Sequence, residues 1–134
     1  MSWRDLTGCA VAVAVFLASP VARAHHGTNA SYDPKKEVTL TGVVTKFIMV
    51  NPHGQLFWEV KGSDGTIVTW GGELHSIGLL RRSGWTRDTL KAGDAVSVRG
   101  YPSRAGTPFM VVQEVVINGK SYFRDLPQQG AGVR

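Results

Sequence analysis

Four histidines, His25, His26, His53 and His75, are the residues of this chain best suited to chemistry. Imidazole is the commonest side-chain ligand for zinc, copper, nickel and iron. His25 follows Ala22-Arg23-Ala24, a site with small residues three before and one before the junction, as signal peptidase requires. Cleavage after Ala24 frees an amine on His25. That amine and the ring nitrogen of the same residue can close a chelate ring on one metal, and His26 adds a mode through amine, backbone nitrogen and ring. Both modes favour copper, which heads the affinity order and accepts square-planar nitrogen ligands. Glu73 stands two residues before His75. In an extended segment the two point to one side, so the carboxylate serves as a ligand or as the group that orients one. The expected ligand set is therefore His25, His26, His53 and His75 with Glu73 in support, and the expected metal is copper or another divalent transition metal. Met49 offers a soft sulfur for reduced copper, although a core role is its simpler reading.

Plainer readings stand beside these. A His-His pair is a common soluble start, His53 after Pro52 suits a turn, and His75 suits the cap of a short helix. The spacing fits no standard zinc signature, and Cys9, the sole cysteine, leaves with the signal segment. A disulfide is thus excluded from the mature chain, and a closed structural zinc site is not expected.

The bulk properties set the frame. Cys9 to Ala18 is an apolar run that fits a signal h-region and is too short to span a bilayer. Nothing after residue 24 is long or apolar enough to be a transmembrane helix. The chain of 134 residues carries a formal charge of +5. Loss of Arg4, Arg23 and Asp5 lowers that by one. The remaining positive charges are scattered and form no stripe, so nucleic acid is not an expected partner.

The elements that must position the histidines follow from pattern. Residues 25–36 read as a polar extended leader. Val38 to Val50 is a long strand whose alternation breaks phase at Val44, and Gly42 at the slip suggests a bulge or sharp bend. Asn51-Pro52-His53-Gly54 is a turn by composition. Gln55–Lys61 is a second strand, Gly62-Ser63-Asp64-Gly65 a hairpin turn, and Thr66–Gly71 a third strand. Ser76 caps a short helix to about Arg82 with Gly84 as its stop, and Thr86 starts a further helical turn within 85–91. Two strands follow, at 94–101 and 108–117, then a short sixth piece at 121–123 and a flexible tail over 124–134. The order β-β-β-α-β-β predicts an OB-like barrel over residues 37–123, all-β with one short helix. In its meander His53 and His75 fall at one end.

The segments His25-His26-Gly27, Tyr32-Asp33, Val38-Thr39-Leu40-Thr41-Gly42, Asn51-Pro52-His53, the run Gly84-Trp85-Thr86-Arg87-Asp88 continuing to Asp94, and Val96-Ser97-Val98-Arg99-Gly100 also carry a resemblance. Together they resemble a family of small exported bacterial proteins known as a domain of unknown function, DUF6152. The resemblance spans nearly all of the mature chain. It implies export and a small β-barrel, and it brings no established activity or catalytic residue. One departure is Gly71-Gly72 ahead of Glu73, where bulkier residues are expected.

The expected protein is a periplasmic binding protein and not an enzyme. The chain has no cysteine nucleophile, no Gly-x-Ser-x-Gly elbow and no phosphate loop. The alternative is an envelope module that binds a small ligand or a protein partner on the face of strands two and three, through Gln55, Phe57 and Glu59 with Arg81 and Arg82 near. Core filling is the simpler role for Trp58, Trp70 and Trp85, and the helix dipole is the simpler reason for Arg81-Arg82. Oligomeric state is not set by the sequence.

Overall fold

β1 (Val38–Met49) is shared between two neighbours, and that sharing shapes the molecule. Its second half pairs antiparallel with β2 (His53–Lys61) and its first half with β4 (Ala95–Pro102). A strand that serves both must bend, and the register shift that bends it falls between Val44 and Lys46. The break of phase at Val44 read from the sequence falls here, whereas Gly42, the residue expected to bend the strand, does not. Gly42 instead permits close approach: a Cβ there would lie 2.0 Å from the Glu59 carbonyl oxygen.

The computed structural model describes residues 31–123. β3 (Ile67–Ser76) lies antiparallel to β2, and β5 (Phe109–Ile117) lies antiparallel to β4. The barrel closes where β3 and β5 run parallel, with Gly71, Gly72 and Glu73 opposite Phe109, Met110 and Val111. β6 (Lys120–Tyr122) extends the sheet beyond β5. A single helix, α1 (Ile77–Arg82), connects β3 to β4. A closed five-stranded barrel in this order, with a helix between its third and fourth strands, is an OB-fold.

Local chemistry explains the connections. The Ser76 hydroxyl accepts from the Leu79 N–H at 3.4 Å and so caps α1, while Gly84 takes a positive φ of 83° just past its end. Residues 85–91 hold one hydrogen-bonded turn, in which the Thr89 N–H donates to the Thr86 carbonyl at 3.1 Å and Thr86 Oγ1 accepts from the Asp88 N–H at 3.2 Å. The Thr86 N–H donates in return to Thr89 Oγ1 at 2.8 Å, and no longer helix forms. Two strands run longer than composition suggests. β2 already begins at His53, so that residue lies on the sheet and not in the turn, and β3 continues through Glu73 and His75. Pairing between β2 and β3, reinforced by β5 as far as Glu73, holds this end of both strands extended.

Leu56, Trp58, Leu74, Leu80, Val98, Met110, Val112 and Val115 fill the interior. Trp85 closes one end beneath the helix. Its ring meets Phe47, Tyr122 and Phe123 at centroid distances of 5.5, 5.3 and 5.0 Å. Among the described residues no helix is long and apolar enough to cross a membrane.

Candidate functional site

Alternation along β2 sends Leu56 and Trp58 inward, and so turns His53, Gln55, Phe57 and Glu59 outward. Across the pairing, Gln55 faces Glu73, Phe57 faces Gly71 and Glu59 faces Thr69. His53 faces Ser76, next in sequence to His75, and a register shift between His53 and Gln55 marks this end of the pair. Bulges of this kind re-aim side chains at the rims of barrels. The structure therefore brings His53, Glu73 and His75 to one end, as the meander implies.

The geometry there is specific. His53 Nδ1–H donates to Glu73 Oε1, since a carboxylate only accepts. The other nitrogen, Nε2, takes no part in that bond. Tyr32 Oη donates to the second carboxylate oxygen of Glu73 at 3.3 Å. One carboxylate thus holds a histidine on one side and a phenol on the other. Burial, reinforced by the negative charge of Glu73 and by this bond, pushes the Tyr32 phenol up to about 12. It stays a donor at any ordinary pH. His75 is only 5% exposed and lies edge-on to the Phe123 ring at 5.1 Å. Burial, and secondarily the charge on nearby His53, pushes its pKa below the usual histidine value. Its neutral form, the form that ligates metals, is favoured.

Tyr32 has no periodic signal in the sequence and its role there is missed. Its position comes from backbone stitching. Asp33 N–H donates to the Pro102 carbonyl at 3.0 Å, and Arg104 N–H to that of Ser31 at 2.9 Å. The Arg104 guanidinium reaches the Tyr32 carbonyl at 3.0 Å and Asp33 at 3.6 Å. The downstream end of the leader is therefore fixed beside Glu73. Phe109 stacks on Tyr32 with ring centroids 6.5 Å apart.

The remaining expected residues are placed as follows. His25 and His26 lie outside the described residues. Met49 is partly buried and packs against the core. Arg81 and Arg82 are exposed in the last turn of α1, a position that suits the helix dipole. Gln55, Phe57 and Glu59 form one outward row on β2. Among the described residues no three His, Cys, Asp or Glu side chains converge as a ligand group.

The fold and this end of the barrel define a small OB-type β-protein. A family model, "Family of unknown function (DUF6152)", matches residues 13–111, and the chain belongs to that family. Among solved structures it is similar to the mitochondrial single-stranded DNA binding protein Rim1 of S. cerevisiae, with 12% identity and a TM-score of 0.47 over 62% of this chain and 93% of that one. It is also similar to yeast Stn1 and Ten1, with 13% identity and a TM-score of 0.41 over 60% of this chain and 42% of that one. A search of curated proteins found no match.

Proposed function

We propose that this chain is an exported, periplasmic binding protein that holds a divalent transition metal, copper first, at the His53 end of its barrel. The observation that carries the reading is the bond from His53 Nδ1–H to Glu73. Metal-ligating histidines are oriented in this way, with one ring nitrogen committed to a carboxylate and the other presented to the ion. The His53 side chain is 36% exposed, and its Nδ1 is the nitrogen committed to Glu73. His75 beside it is biased toward the neutral form.

In this reading the site draws its further donors from the leader. His26 lies six residues before Tyr32. An extended chain covers roughly 20 Å over that distance, enough to cross the end of a small barrel. Tyr32, clasped to Glu73 at 3.3 Å, starts that span at the site itself. The amine and ring of His25 and the ring of His26 complete a nitrogen-rich set with His53 and His75, and Glu73 acts from behind. The chemistry is binding or transport, and no residue of the site is assigned a catalytic step.

Copper titration of the chain cleaved after Ala24, read in competition with a chromophoric chelator, tests the proposal. One equivalent of tight binding is expected. The double variant His53→Ala/His75→Ala and acetylation of the His25 amine should each weaken it. Copper affinity unchanged by both alterations overturns the reading.

A further inference from the structure

The outer face of β2 and β3 holds a second feature, which borders the proposed metal site at Tyr32 and Glu73. Gly71 sits in the middle of a strand, where glycine weakens pairing and marks a close approach. A Cβ at Gly71 would lie 2.4 and 2.5 Å from Cδ2 and Cε2 of Phe109, and 3.2 Å from Cε1 of Phe57. Both rings therefore lie down over the bare backbone of Gly71 instead of standing off the sheet. Tyr32 continues the row, its ring tilted only 24° from that of Phe109. All three rings keep part of their surface open to solvent. They are bordered by the Gln55 amide and by the carboxylates of Glu59 and Glu73, which stand on the same face. Lys46, in register with Phe57, stands on the neighbouring strand.

The surroundings restrict what can occupy this platform. An extended peptide cannot add as a strand here, since β2 is paired on both sides and β3 is paired to β5 at this level. A phosphate polymer would find no net positive charge, because the carboxylates of Glu59 and Glu73 offset Lys46, in register with Phe57, and Lys61 in the same outward row of β2. What remains matched is a ligand with a flat apolar face and neutral hydrogen-bonding edges. A pyranose ring has this form: axial C–H groups lie on an aromatic face while its hydroxyls reach amide and carboxylate groups at the rim.

We propose that the Phe57–Phe109–Tyr32 platform binds a chain of neutral sugars. Aromatic rings supply the contact area, and Gln55 and Glu59 select neutral hydroxyl-bearing rings over anionic ones. The inference does not rest on metal binding.

The test is titration of the chain cleaved after Ala24 with cellotetraose and with tetra-N-acetylchitotetraose, followed by amide chemical-shift changes in the presence of a metal chelator. Shifts clustered on β2, β3 and the start of β5 are expected for at least one of the two. Phe57→Ala should weaken binding about tenfold, the scale of one stacking contact, without loss of the folded spectrum. Gln55→Ala, which removes no core atom, should weaken it too. An oligogalacturonate of equal length should bind less tightly than the neutral chains. Absence of shifts with both neutral sugars, tighter binding of the anionic one, or affinity indifferent to both substitutions overturns the proposal. The chelator removes metal from the experiment, so failure here leaves the copper titration to stand or fall separately.

Discussion

His53 and Glu73 lie on adjacent antiparallel strands and are joined through Nδ1 and Oε1, while the other oxygen of the same carboxylate receives the Tyr32 hydroxyl. A single side chain on β3 thereby fixes the orientation of an imidazole from β2 and the position of the leader. Glu73 is 25% exposed and His53 36% exposed. A pair this open to water adds at most about 1 kcal/mol to stability, so its geometric effect outweighs its energetic one.

Replacing that carboxylate should separate the two effects. Glu73→Gln keeps the size of the side chain and loses the charge that holds the His53 Nδ1 proton. Copper affinity is expected to fall roughly 10- to 100-fold, the usual effect of losing the group that orients a ligating histidine. The thermal midpoint should barely move. Glu59→Gln, on the same face but outside the His53 contact, should leave copper affinity unchanged. Equal affinities for the Glu73→Gln and unaltered chains would remove Glu73 from the site.

The glycine pair before Glu73 makes a second test. Gly71→Ala drives a methyl group into the Phe109 ring, which lies 2.4 Å from the new atom. Overpacking of this sort costs roughly 1–3 kcal/mol. Phe109→Ala alone also destabilises, by removing a partly buried ring. The double variant should be more stable than the two costs added together predict, because the methyl group then occupies vacated space. Chemical denaturation of all four proteins gives the coupling directly. Strict additivity would mean that the ring and the glycine do not constrain each other.

Much of this arrangement is legible in the sequence, and the reasons are physical. Period-two alternation over 55–61 places Leu56 and Trp58 inside and Gln55, Phe57 and Glu59 outside, as found. Ser76 and Gly84 mark the ends of α1 through capping chemistry that is local. The bend in β1 is harder to place, because a bulge is decided by which neighbours the strand must serve; Gly42 carries the compositional signal while the register breaks after Val44. Residues 72–76 read as the approach to the helix, but pairing to β2 as far as Ser76, and to β5 at Gly72 and Glu73, keeps them extended. Tyr32 and Phe109 are invisible as site residues, since they reach Glu73 and Gly71 across 41 and 38 positions of sequence through tertiary contacts alone. The oddity at Gly71-Gly72 is visible in the sequence, and its cause is Phe109 above one glycine and Val112 and Trp58 against the other.

Trp85 should be the most sensitive position at the barrel end. It is 2% exposed and touches Phe47, Tyr122 and Phe123. Trp85→Ala removes the plug between α1 and β6, and truncation of a buried tryptophan costs roughly 3–5 kcal/mol. A domain this small has little more stability than that to lose. The variant is expected to be largely unfolded at 37 °C, a conventional assay temperature, whereas Trp85→Phe should retain a cooperative transition at a lower midpoint. Near-ultraviolet circular dichroism and thermal melts distinguish the two, and a fully folded Trp85→Ala protein would show that the aromatic cluster is dispensable.

His75 makes stability depend on pH in a direction the structure sets. Burial first, and the charge of His53 second, hold its folded pKa below the value of the unfolded chain. When pH falls through the unfolded value, near 6.5, the unfolded state takes up the proton before the folded state does. Stability therefore drops as pH falls through that window, and it levels off only once the folded pKa has also been passed. Above it, His75 contributes no slope. His75→Gln carries no titrating ring, so its melting midpoint should change less between pH 7 and pH 5.5 than that of the unaltered chain, even if it is lower throughout. The Phe123 ring at 5.1 Å supplies part of the burial, so Phe123→Ala should also flatten the dependence by admitting water to the imidazole. Parallel pH profiles for all three proteins would show that His75 titrates as freely folded as unfolded.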